Sequence, residues 1–456
     1  MVNRRGFMKS AAAAGGLMLL PSWSAGKQVG PNNKLNIALV GVGGIGGMAI
    51  GQLLPCKQAN IVALCDVDDA RAAKNYKAFP ASMPRFRDYR VMLDKMDKQI
   101  DAVVVSTPDH MHYPIAAWAI AKGKHVFCQK PLTRTIWEAE ELKRLAKEAG
   151  VITQMGNQGH TNEGWRLIKE WYDAGILGQI EEIHIWTNRP VWPQGDLKMP
   201  AGQPVPPTLD YNLWLGVAPY QPYNKAFVPF NWRGLRNYGT GAAGDMACHF
   251  LDVPYSAFDL GFPMSVKGNS TPFNDYSWPS QASSVMTFVN PRGVDNRIRL
   301  HWYDGGRKPK AIKRVDKAFL DDPRNNNATF IVGTKETVYT NEYGMNTRIW
   351  PAARMKELMK GGKLPQKTVP RSVAPGKPFV EWTLACIEGK QPKGNFDYAA
   401  PFTEMALLGM IALCFPDREL NYIPSTMSFA GCPEADKFVR SQYEYRSEFL
   451  PSKIML

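Results

Sequence analysis

The length, composition and charge of this chain already exclude several classes of protein. Its 456 residues exceed one ordinary hydrophobic core, so the sequence predicts two domains. Hydrophobic residues make up 45% and charged residues 21%, the proportions of a soluble globular protein. The net charge is +14, but no basic cluster is interleaved with aromatic residues, so we expect no nucleic-acid partner. The seven cysteines include no Cys-x-x-Cys pair, which argues against a disulfide framework or a zinc site.

Residues 1–30 are typical of an export signal and its linker. Arg4 and Arg5 are followed by Phe7 and Lys9, then by a short run of Ala, Gly and Leu and a small-residue end. This order predicts export, and the arginine pair resembles the twin-arginine signal. The apolar run is too short and too glycine-rich to predict a stable membrane anchor. We therefore expect a periplasmic protein that engages the twin-arginine export machinery after folding.

The segment 36–46 is typical of a dinucleotide-binding unit. An apolar run ends in a Gly-x-Gly-x-x-Gly turn at Gly41, Gly43 and Gly46, and a second apolar run ends about 20 residues later in Asp66. The glycines allow a tight turn against a pyrophosphate, and the next helix presents its N-terminus to the phosphates. A carboxylate at Asp66 would bind ribose hydroxyls and repel a 2′-phosphate. The pattern therefore predicts NAD rather than NADP.

Strands and helices alternate over residues 31–156, which predicts a doubly wound parallel sheet of the Rossmann type. The predicted strands lie at 36–40, 61–65, 102–105, 125–128 and 151–154. The predicted helices begin at Asp69 or lie at 89–95, 114–121 and 136–149.

Residues 157–456 predict a second, α+β domain that binds the substrate. A helix at 162–174 and a strand at 180–186 precede a long segment, 188–240, that is rich in Pro and Trp. Later strands alternate polar and apolar residues, which predicts a large, mainly antiparallel open sheet with helices on one face. These strands lie at 284–289, 298–302, 329–332 and 337–339. We expect residues 356–376 to form an exposed loop and residues 399–414 a buried helix.

Two elements carry candidate catalytic residues. Lys130 lies just past a predicted strand end, where ligands of open parallel sheets bind, and could donate to a substrate oxygen. Asp245 and His249 are four residues apart and share a helix face, so the histidine could take a proton from an alcohol. The alternatives are a surface lysine at a turn and a capping aspartate near a half-buried histidine. The same spacing could hold a metal, but no third ligand is evident, so we predict no metal site.

Taken together, these motifs resemble the Gfo/Idh/MocA oxidoreductase family over residues 35–345. The resemblance rests on the Gly41–Gly46 turn with Asp66, Thr107-Pro108-x-x-x-His112, Gln129-Lys130-Pro131, Gly156-Asn157 and Gly241-x-x-Gly244-Asp245-x-x-x-His249-x-x-Asp252. It implies a Rossmann domain, a second domain whose open sheet forms a homodimer or homotetramer, and a catalytic trio of Lys130, Asp245 and His249. The cofactor-binding residues that it implies are Gly41, Gly43, Gly44, Ile45, Gly46, Asp66, Thr107, Pro108, His112, Gln129, Lys130 and Asn157.

Two positions depart from the family pattern. Gln129 stands where the family usually has Glu, and Asp109 where it usually has Asn. Gln129 lacks a charge near the nicotinamide ribose but keeps its hydrogen-bonding capacity, so the catalytic trio is unaffected.

The resemblance also implies a carbohydrate substrate, since family members act mostly on sugars, sugar derivatives and polyols. Aromatic faces pack against sugar C–H surfaces, and arginines bind hydroxyls or carboxylates. The predicted substrate-binding residues are Trp165, Arg166, Trp232, Arg233, Tyr238 and His249.

The predicted function is an NAD(P)-dependent oxidoreductase acting on a sugar, glycoside or polyol hydroxyl. Because no free NAD pool exists outside the cytoplasm, we expect the cofactor to stay tightly bound. One alternative is a redox-neutral glycoside-cleaving enzyme that oxidises, eliminates, hydrates and reduces, with Tyr238 as an extra base. Another is a non-catalytic sugar-binding protein that kept the fold.

Overall fold

A computed structural model describes residues 34–452, which form two β-sheets with helices packed on them. The predicted export signal, residues 1–30, lies outside the described residues. Within the described range, no helix has both the length and the apolar character needed to cross a membrane.

The first sheet has six parallel strands in the order β3-β2-β1-β4-β5-β6. The strands are β1 (Leu35–Val40), β2 (Ala59–Cys65), β3 (Arg85–Phe86), β4 (Ala102–Val105), β5 (His125–Gln129) and β6 (Thr153–Gly156). The helices between them are α1 (Gly46–Leu53), α2 (Asp69–Tyr76), α3 (Tyr89–Lys95), α4 (His112–Ala121) and α5 (Ile136–Ala149). The strand order reverses between β1 and β4, which is where ligands of doubly wound sheets bind.

The second sheet has nine strands in the order β13-β12-β11-β7-β10-β9-β8-β14-β15. All neighbouring strands are antiparallel except β7 and β10, which are parallel. The strands are β7 (Ile180–Trp186), β8 (Ser265–Ser270), β9 (Ala282–Val294), β10 (Arg297–Tyr303), β11 (Ala328–Gly333), β12 (Thr337–Thr340), β13 (Arg348–Trp350), β14 (Glu419–Ile423) and β15 (Ser428–Ala430). The predicted fold class is confirmed.

Eight helices accompany the second sheet in the described part of the chain. They are α6 (Gly164–Asp173), α7 (Tyr211–Leu215), α8 (Gly241–Phe250), α9 (Asp252–Phe258), α10 (Lys317–Asp321), α11 (Ala352–Lys360), α12 (Pro378–Glu388) and α13 (Phe396–Leu413). The expectation of a loop over 356–376 is wrong at its start, because α11 extends to Lys360. Its sequence, AARMKELMK, consists of strong helix formers, and Gly361 follows it.

Helix α12 packs on the parallel sheet, although it lies far along the chain. Phe379 stacks on Phe127 of β5 with ring centroids 4.2 Å apart, and Trp382 is fully buried beside them. The chain thus returns from the second sheet to complete the core of the first.

The Pro- and Trp-rich segment 188–240, here called the aromatic loop, has a small hydrophobic core of its own. This core contains Leu209, Tyr211, Trp214, Leu215, Ala218, Tyr223, Phe227, Val228, Trp232, Leu235 and Tyr238. Backbone hydrogen bonds tie the loop to the segment after β2: Asp210 N–H donates to the Val67 carbonyl at 2.8 Å, and Asp69 N–H donates to the Thr208 carbonyl at 3.0 Å. The loop therefore lies over the carboxyl edge of the parallel sheet.

Candidate active site

The glycine turn between β1 and α1 requires glycine at its two ends. Gly41 has φ of +82°, and a Cβ atom there would lie 2.4 Å from the Ser106 carbonyl oxygen. A Cβ atom on Gly46 would lie 2.1 Å from the Gly41 carbonyl oxygen. Both contacts are shorter than real Cβ contacts, so any larger residue would displace the turn.

Asp66, at the end of β2, holds this turn in place. Its carboxylate accepts hydrogen bonds from Val42 N–H at 2.8 Å, Gly43 N–H at 3.0 Å and Asp68 N–H at 3.0 Å. Burial raises the pKa of the Asp66 carboxyl, and the three backbone hydrogen bonds act in the opposite direction. The side chain also lines the cleft described next, where it can accept from ribose hydroxyls.

A cleft lies over the glycine turn, between the parallel sheet and the aromatic loop. The parallel-sheet domain contributes one wall, including Gly41, Gly43, Gly44, Ile45, Asp66, Thr107 and Pro108. The aromatic loop contributes the other, with Leu209, Leu213, Trp214, Val228, Pro229, Trp232 and Arg233.

Five of the buried polar atoms without a hydrogen-bond partner in the described chain lie at the carboxyl ends of the parallel strands or in helix α8. They are Ser106 Oγ, Thr107 Oγ1, Gln129 Nε2, Asn157 Oδ1 and His249 Nδ1. Because buried polar groups are normally paired, these atoms indicate a polar ligand. The glycine turn, Asp66 and these atoms follow one edge of the sheet, so the residues present fit a dinucleotide.

Lys130, directly after β5, forms a partly buried ion pair with Asp245 of α8. Its Nζ donates to Asp245 Oδ1 at 2.8 Å and to the Asp245 carbonyl oxygen at 3.0 Å. Arg233 Nε lies 3.5 Å from the same carboxylate oxygen. Burial alone would raise the pKa of Asp245, but Lys130 and Arg233 together lower it to about 2. The carboxylate is therefore ionised at neutral pH, and it orients the ammonium group.

His249 lies one helical turn after Asp245. Burial, reinforced by the charge of Lys130, lowers the pKa of His249 to about 3, so the imidazole is neutral at neutral pH. Its Nδ1 is buried and has no hydrogen-bond partner among residues 34–452. Asp245 is hydrogen-bonded to Lys130 rather than to this ring.

Other predicted cofactor residues hold the strand-end loops together. His112 Nδ1 lies 2.7 Å from the Pro131 carbonyl oxygen, and its Nε2 lies 2.9 Å from the Thr107 carbonyl oxygen. This ring therefore links the loop after β4 to the loop that carries Lys130. The Asn157 side-chain amide donates to the carbonyl oxygen of Cys248 in α8 at 2.7 Å.

Asp109, one of the two departures from the family pattern, is also built into this framework. It accepts a hydrogen bond from the Thr240 hydroxyl at 2.8 Å, immediately before α8. Burial raises the pKa of the Asp109 carboxyl, and the nearby His112 and Lys130 oppose that shift.

Only some of the predicted substrate residues reach the cleft. Trp232 and Arg233 line it. Arg166 instead uses its guanidinium internally, donating to the carbonyl oxygens of Pro370 at 2.9 Å, His160 at 3.0 Å and Asn162 at 2.6 Å. Trp165, with its indole N–H bonded to the His160 carbonyl at 2.9 Å, packs against that guanidinium.

Tyr238 lies inside the core of the aromatic loop. Its side chain is fully buried, and its hydroxyl donates to Gln221 Oε1 at 3.2 Å. Burial also raises the pKa of this phenol well above its ordinary value, which disfavours a role as a base.

Two residues that sequence reasoning missed lie beside His249. The Tyr343 ring is 5.2 Å from the His249 ring, and the charge of Arg189 acts on both. Neither belongs to a motif, so no local signal could have identified them. Farther along α8 and α9, Asp252 accepts from His160 Nδ1 at 2.9 Å and from the Tyr398 hydroxyl at 2.6 Å.

Comparison with known families agrees with this geometry. Residues 35–157 match the NAD-binding Rossmann fold of an oxidoreductase family, and residues 168–274 match the C-terminal alpha/beta domain of the same family. The chain belongs to the Gfo/Idh/MocA oxidoreductase family. The resemblance inferred from the motifs is thus confirmed, and with it an NAD-binding Rossmann domain.

Individual relatives are distant. A Bacillus subtilis scyllo-inositol 2-dehydrogenase (NADP⁺) is 28% identical over 38% of this chain and 38% of its own length. A Salmonella typhimurium inositol 2-dehydrogenase is 26% identical over 33% of this chain and 45% of its own length. The chain spans between 38% and 52% of the length of the first curated relatives it matches.

Solved structures share the fold. A Bordetella pertussis dehydrogenase in complex with NADH and UDP-GlcNAcA superposes with a TM-score of 0.59 at 17% identity, covering 86% of this chain and 99% of that one.

Proposed function

We propose that this chain oxidises a hydroxyl group of a sugar, glycoside or polyol, with NAD as the hydride acceptor. The observation that carries the proposal is the position of Lys130 Nζ, at the same sheet edge as the glycine turn and in an ion pair with Asp245. Residues 31–156 would bind the cofactor and residues 157–456 the substrate, with α12 contributing to the core of the first domain.

In this proposal, residues of the chain accept the proton of the substrate hydroxyl and stabilise the charge that develops on its oxygen. Lys130 donates a hydrogen bond to the reacting oxygen and stabilises negative charge on it. The neutral His249 accepts the hydroxyl proton as hydride leaves the carbon. Asp245, one helical turn away, stabilises the resulting imidazolium and keeps Lys130 in place. NAD, when bound, accepts the hydride.

We also propose that the cofactor stays bound between turnovers. The aromatic loop forms the outer wall of the cleft, and it is joined to the parallel-sheet domain on either side of Leu209 by the hydrogen bonds to Val67 and Asp69. Dissociation of a dinucleotide would require this wall to move. Trp232 and Arg233, from the same wall, would bind substrate.

Native mass spectrometry of the purified full chain tests both proposals. The expected result is a mass corresponding to one bound dinucleotide per chain. The bound cofactor should then be titrated with a panel of sugars, glycosides and polyols. The absorbance of reduced nicotinamide should increase only with compounds of the substrate class. Sugar binding by a chain that carries no nucleotide would contradict the proposal and support a non-catalytic sugar-binding protein.

A second candidate is redox-neutral glycoside cleavage, in which the substrate is oxidised, eliminated, hydrated and reduced again. Tyr343 favours it, because this phenol lies beside His249, whereas the Tyr238 proposed from the sequence is buried in the aromatic loop. Burial raises the pKa of Tyr343, while Lys130 and Arg189 act to lower it. Solvent deuterium at C2 of the product would support cleavage, and a stoichiometric ketone without exchange would contradict it.

We further propose export to the periplasm by the twin-arginine route. The support is the sequence of residues 1–30, with Arg4-Arg5 ahead of Phe7. Replacing both arginines with lysine should retain the protein in the cytoplasm, as measured by cell fractionation. Unchanged export of that variant would contradict the proposal.

We also propose a homodimer or homotetramer formed through the open face of the second sheet. The support is the family resemblance together with Val289 of β9, an apolar side chain that is 63% exposed on this sheet. Light scattering should give a mass of at least two chains, and Val289→Glu should shift it toward one. A wild-type monomer would contradict the proposal.

A further inference from the structure

The outward face of the second sheet carries a histidine pair that the proposed reaction does not use. His184 of β7 and His301 of β10 lie directly opposite each other in the parallel register of these strands. Glu182, two residues before His184, points to the same face. The neighbouring Trp302 points to the other face, where its ring contacts Phe250 of α8 at 6.1 Å. The cluster is therefore separated from the candidate active site by the sheet.

The donor atoms of this cluster converge. One donor atom from each of the three residues lies within 4.8 Å of the other two. His184 Nε2 is 3.0 Å from Glu182 Oε2, and His301 Nε2 is 3.7 Å from Glu182 Oε1. Two ligands of a tetrahedral zinc ion with bonds near 2.1 Å lie about 3.4 Å apart. The observed separations bracket that value.

The two imidazoles are available as ligands. Their rings stack at 4.7 Å with an angle of 13°, an arrangement in which they cannot hydrogen-bond to each other. His301 Nε2 is buried and lacks a hydrogen-bond partner among residues 34–452. His184 Nε2 is hydrogen-bonded to Glu182, which is itself one of the three candidate ligands.

We propose that Glu182, His184 and His301 bind a divalent transition metal, with Zn²⁺ as the best match. Two imidazoles and one carboxylate are a common zinc ligand set, whereas Mg²⁺ and Ca²⁺ prefer oxygen ligands. In the single chain the Glu182 side chain is 40% exposed and that of His301 18%, so an ion can reach the cluster before two chains associate, and water can occupy the fourth position. The ion would link β7 to β10, two neighbouring parallel strands of the mainly antiparallel sheet.

The test measures Zn²⁺ binding to the full chain after removal of metals with a chelator. Competition with a chromogenic chelator gives the affinity, and elemental analysis gives the stoichiometry. The expected result is one Zn²⁺ per chain with a micromolar or lower Kd. Glu182→Gln should weaken binding about tenfold or more, and His301→Gln about 100-fold or more. Co²⁺ in place of Zn²⁺ should give the strong visible absorption of a tetrahedral site.

Two control variants locate the ion. Arg299 is paired with Glu182 across the strands but is not a candidate ligand. Because Arg299→Gln removes a positive charge near the ion, the affinity for Zn²⁺ should stay unchanged or increase. His249→Gln removes a buried histidine at the candidate active site and should leave the stoichiometry unchanged. Circular dichroism and bound-dinucleotide content establish that each variant is folded, independently of the metal.

Three results would overturn the proposal. They are a wild-type Kd in the millimolar range, an unchanged affinity in folded His301→Gln, and loss of the ion in His249→Gln. The last result would place the metal at Asp245 and His249 instead.

Discussion

The proposed catalytic centre of Lys130, Asp245 and His249 and the aromatic loop beside it both contain residues suited to sugar binding. They differ in how Tyr238 and Trp232 of the loop and His249 of the proposed centre use their polar atoms. Within the loop, the Tyr238 hydroxyl bonds to Gln221, and the Trp232 indole N–H donates to the Pro229 carbonyl at 3.1 Å. At the centre, His249 Nδ1 is buried without a partner in the described chain.

This difference separates residues that build the site from residues that act in it. A buried polar atom whose hydrogen bond is already made contributes to the fold, whereas one without a partner is paired only when a ligand arrives. On this criterion Tyr238 and Trp232 belong to the cover over the proposed cofactor site, and His249 belongs to the proposed catalytic centre. Tyr211 Oη and Gln221 Nε2 of the loop are, like His249 Nδ1, buried without a partner in the described chain. The predictions below test that division.

Lys130→Met should have the largest effect. It removes the donor to the reacting oxygen, so turnover should fall about 10²- to 10⁴-fold. The bound dinucleotide should remain, as measured by native mass spectrometry beside steady-state rates. Lys124→Met is the matched control, because Lys124 pairs with Asp97 before β5 begins, and turnover should be retained. Full turnover in folded Lys130→Met would rule out the assigned role.

Acid should remove a stabilising contribution of Asp245. Its pKa is about 2 in the folded chain against an ordinary value of 3.8, so the stabilisation is complete above pH 3.8 and is lost as pH falls toward 2. The shift corresponds to about 2 kcal/mol. Urea unfolding should show Asp245→Asn to be less stable than wild type at neutral pH, with a gap that narrows below pH 4. A gap that stays constant with pH would contradict the lowered pKa of Asp245.

Leu213→Ala should speed the dissociation of the cofactor without changing the rate of the chemical step. Leu213 lines the cleft from α7, and removing its side chain should cost about 1.4 kcal/mol of contact with the cofactor. The dinucleotide should dissociate about tenfold faster, as followed by fluorescence after dilution. Val205→Ala, in an exposed part of the same loop, is the control and should dissociate at the wild-type rate. Equal rates for the two variants would argue against a covering role.

Tyr238→Phe should have the smallest effect. It deletes one hydrogen bond, to Gln221, so the free energy of unfolding should fall by about 1 kcal/mol and turnover should stay within about twofold. Thermal unfolding and steady-state kinetics measure these two quantities. A large loss of turnover in a natively folded variant would indicate that Tyr238 acts in catalysis, and it would contradict the contrast between the loop and the proposed catalytic centre.

Local physics made much of the first domain predictable. The bounds of α5 follow from its own residues: Thr135 and Glu138 form a capping box, and Gly150 ends the helix with φ of +62°. The glycine turn and Asp66 were recognisable for the same reason, because a backbone that must approach a ligand leaves a local pattern. The position of α12 was not predictable, since the packing of Phe379 on Phe127 joins segments far apart in the chain.

The sequence by itself therefore determined the fold class, the dinucleotide turn and the identity of Lys130, Asp245 and His249 as candidate catalytic residues. Only the tertiary structure decided how each polar side chain is used. In the structure, Arg166 donates to three backbone carbonyls, and Tyr238 is buried. Tyr343 lies beside His249, and His301 lies beside His184. The physical reason is that hydrogen-bond satisfaction and burial depend on neighbours from distant segments, which local patterns do not encode.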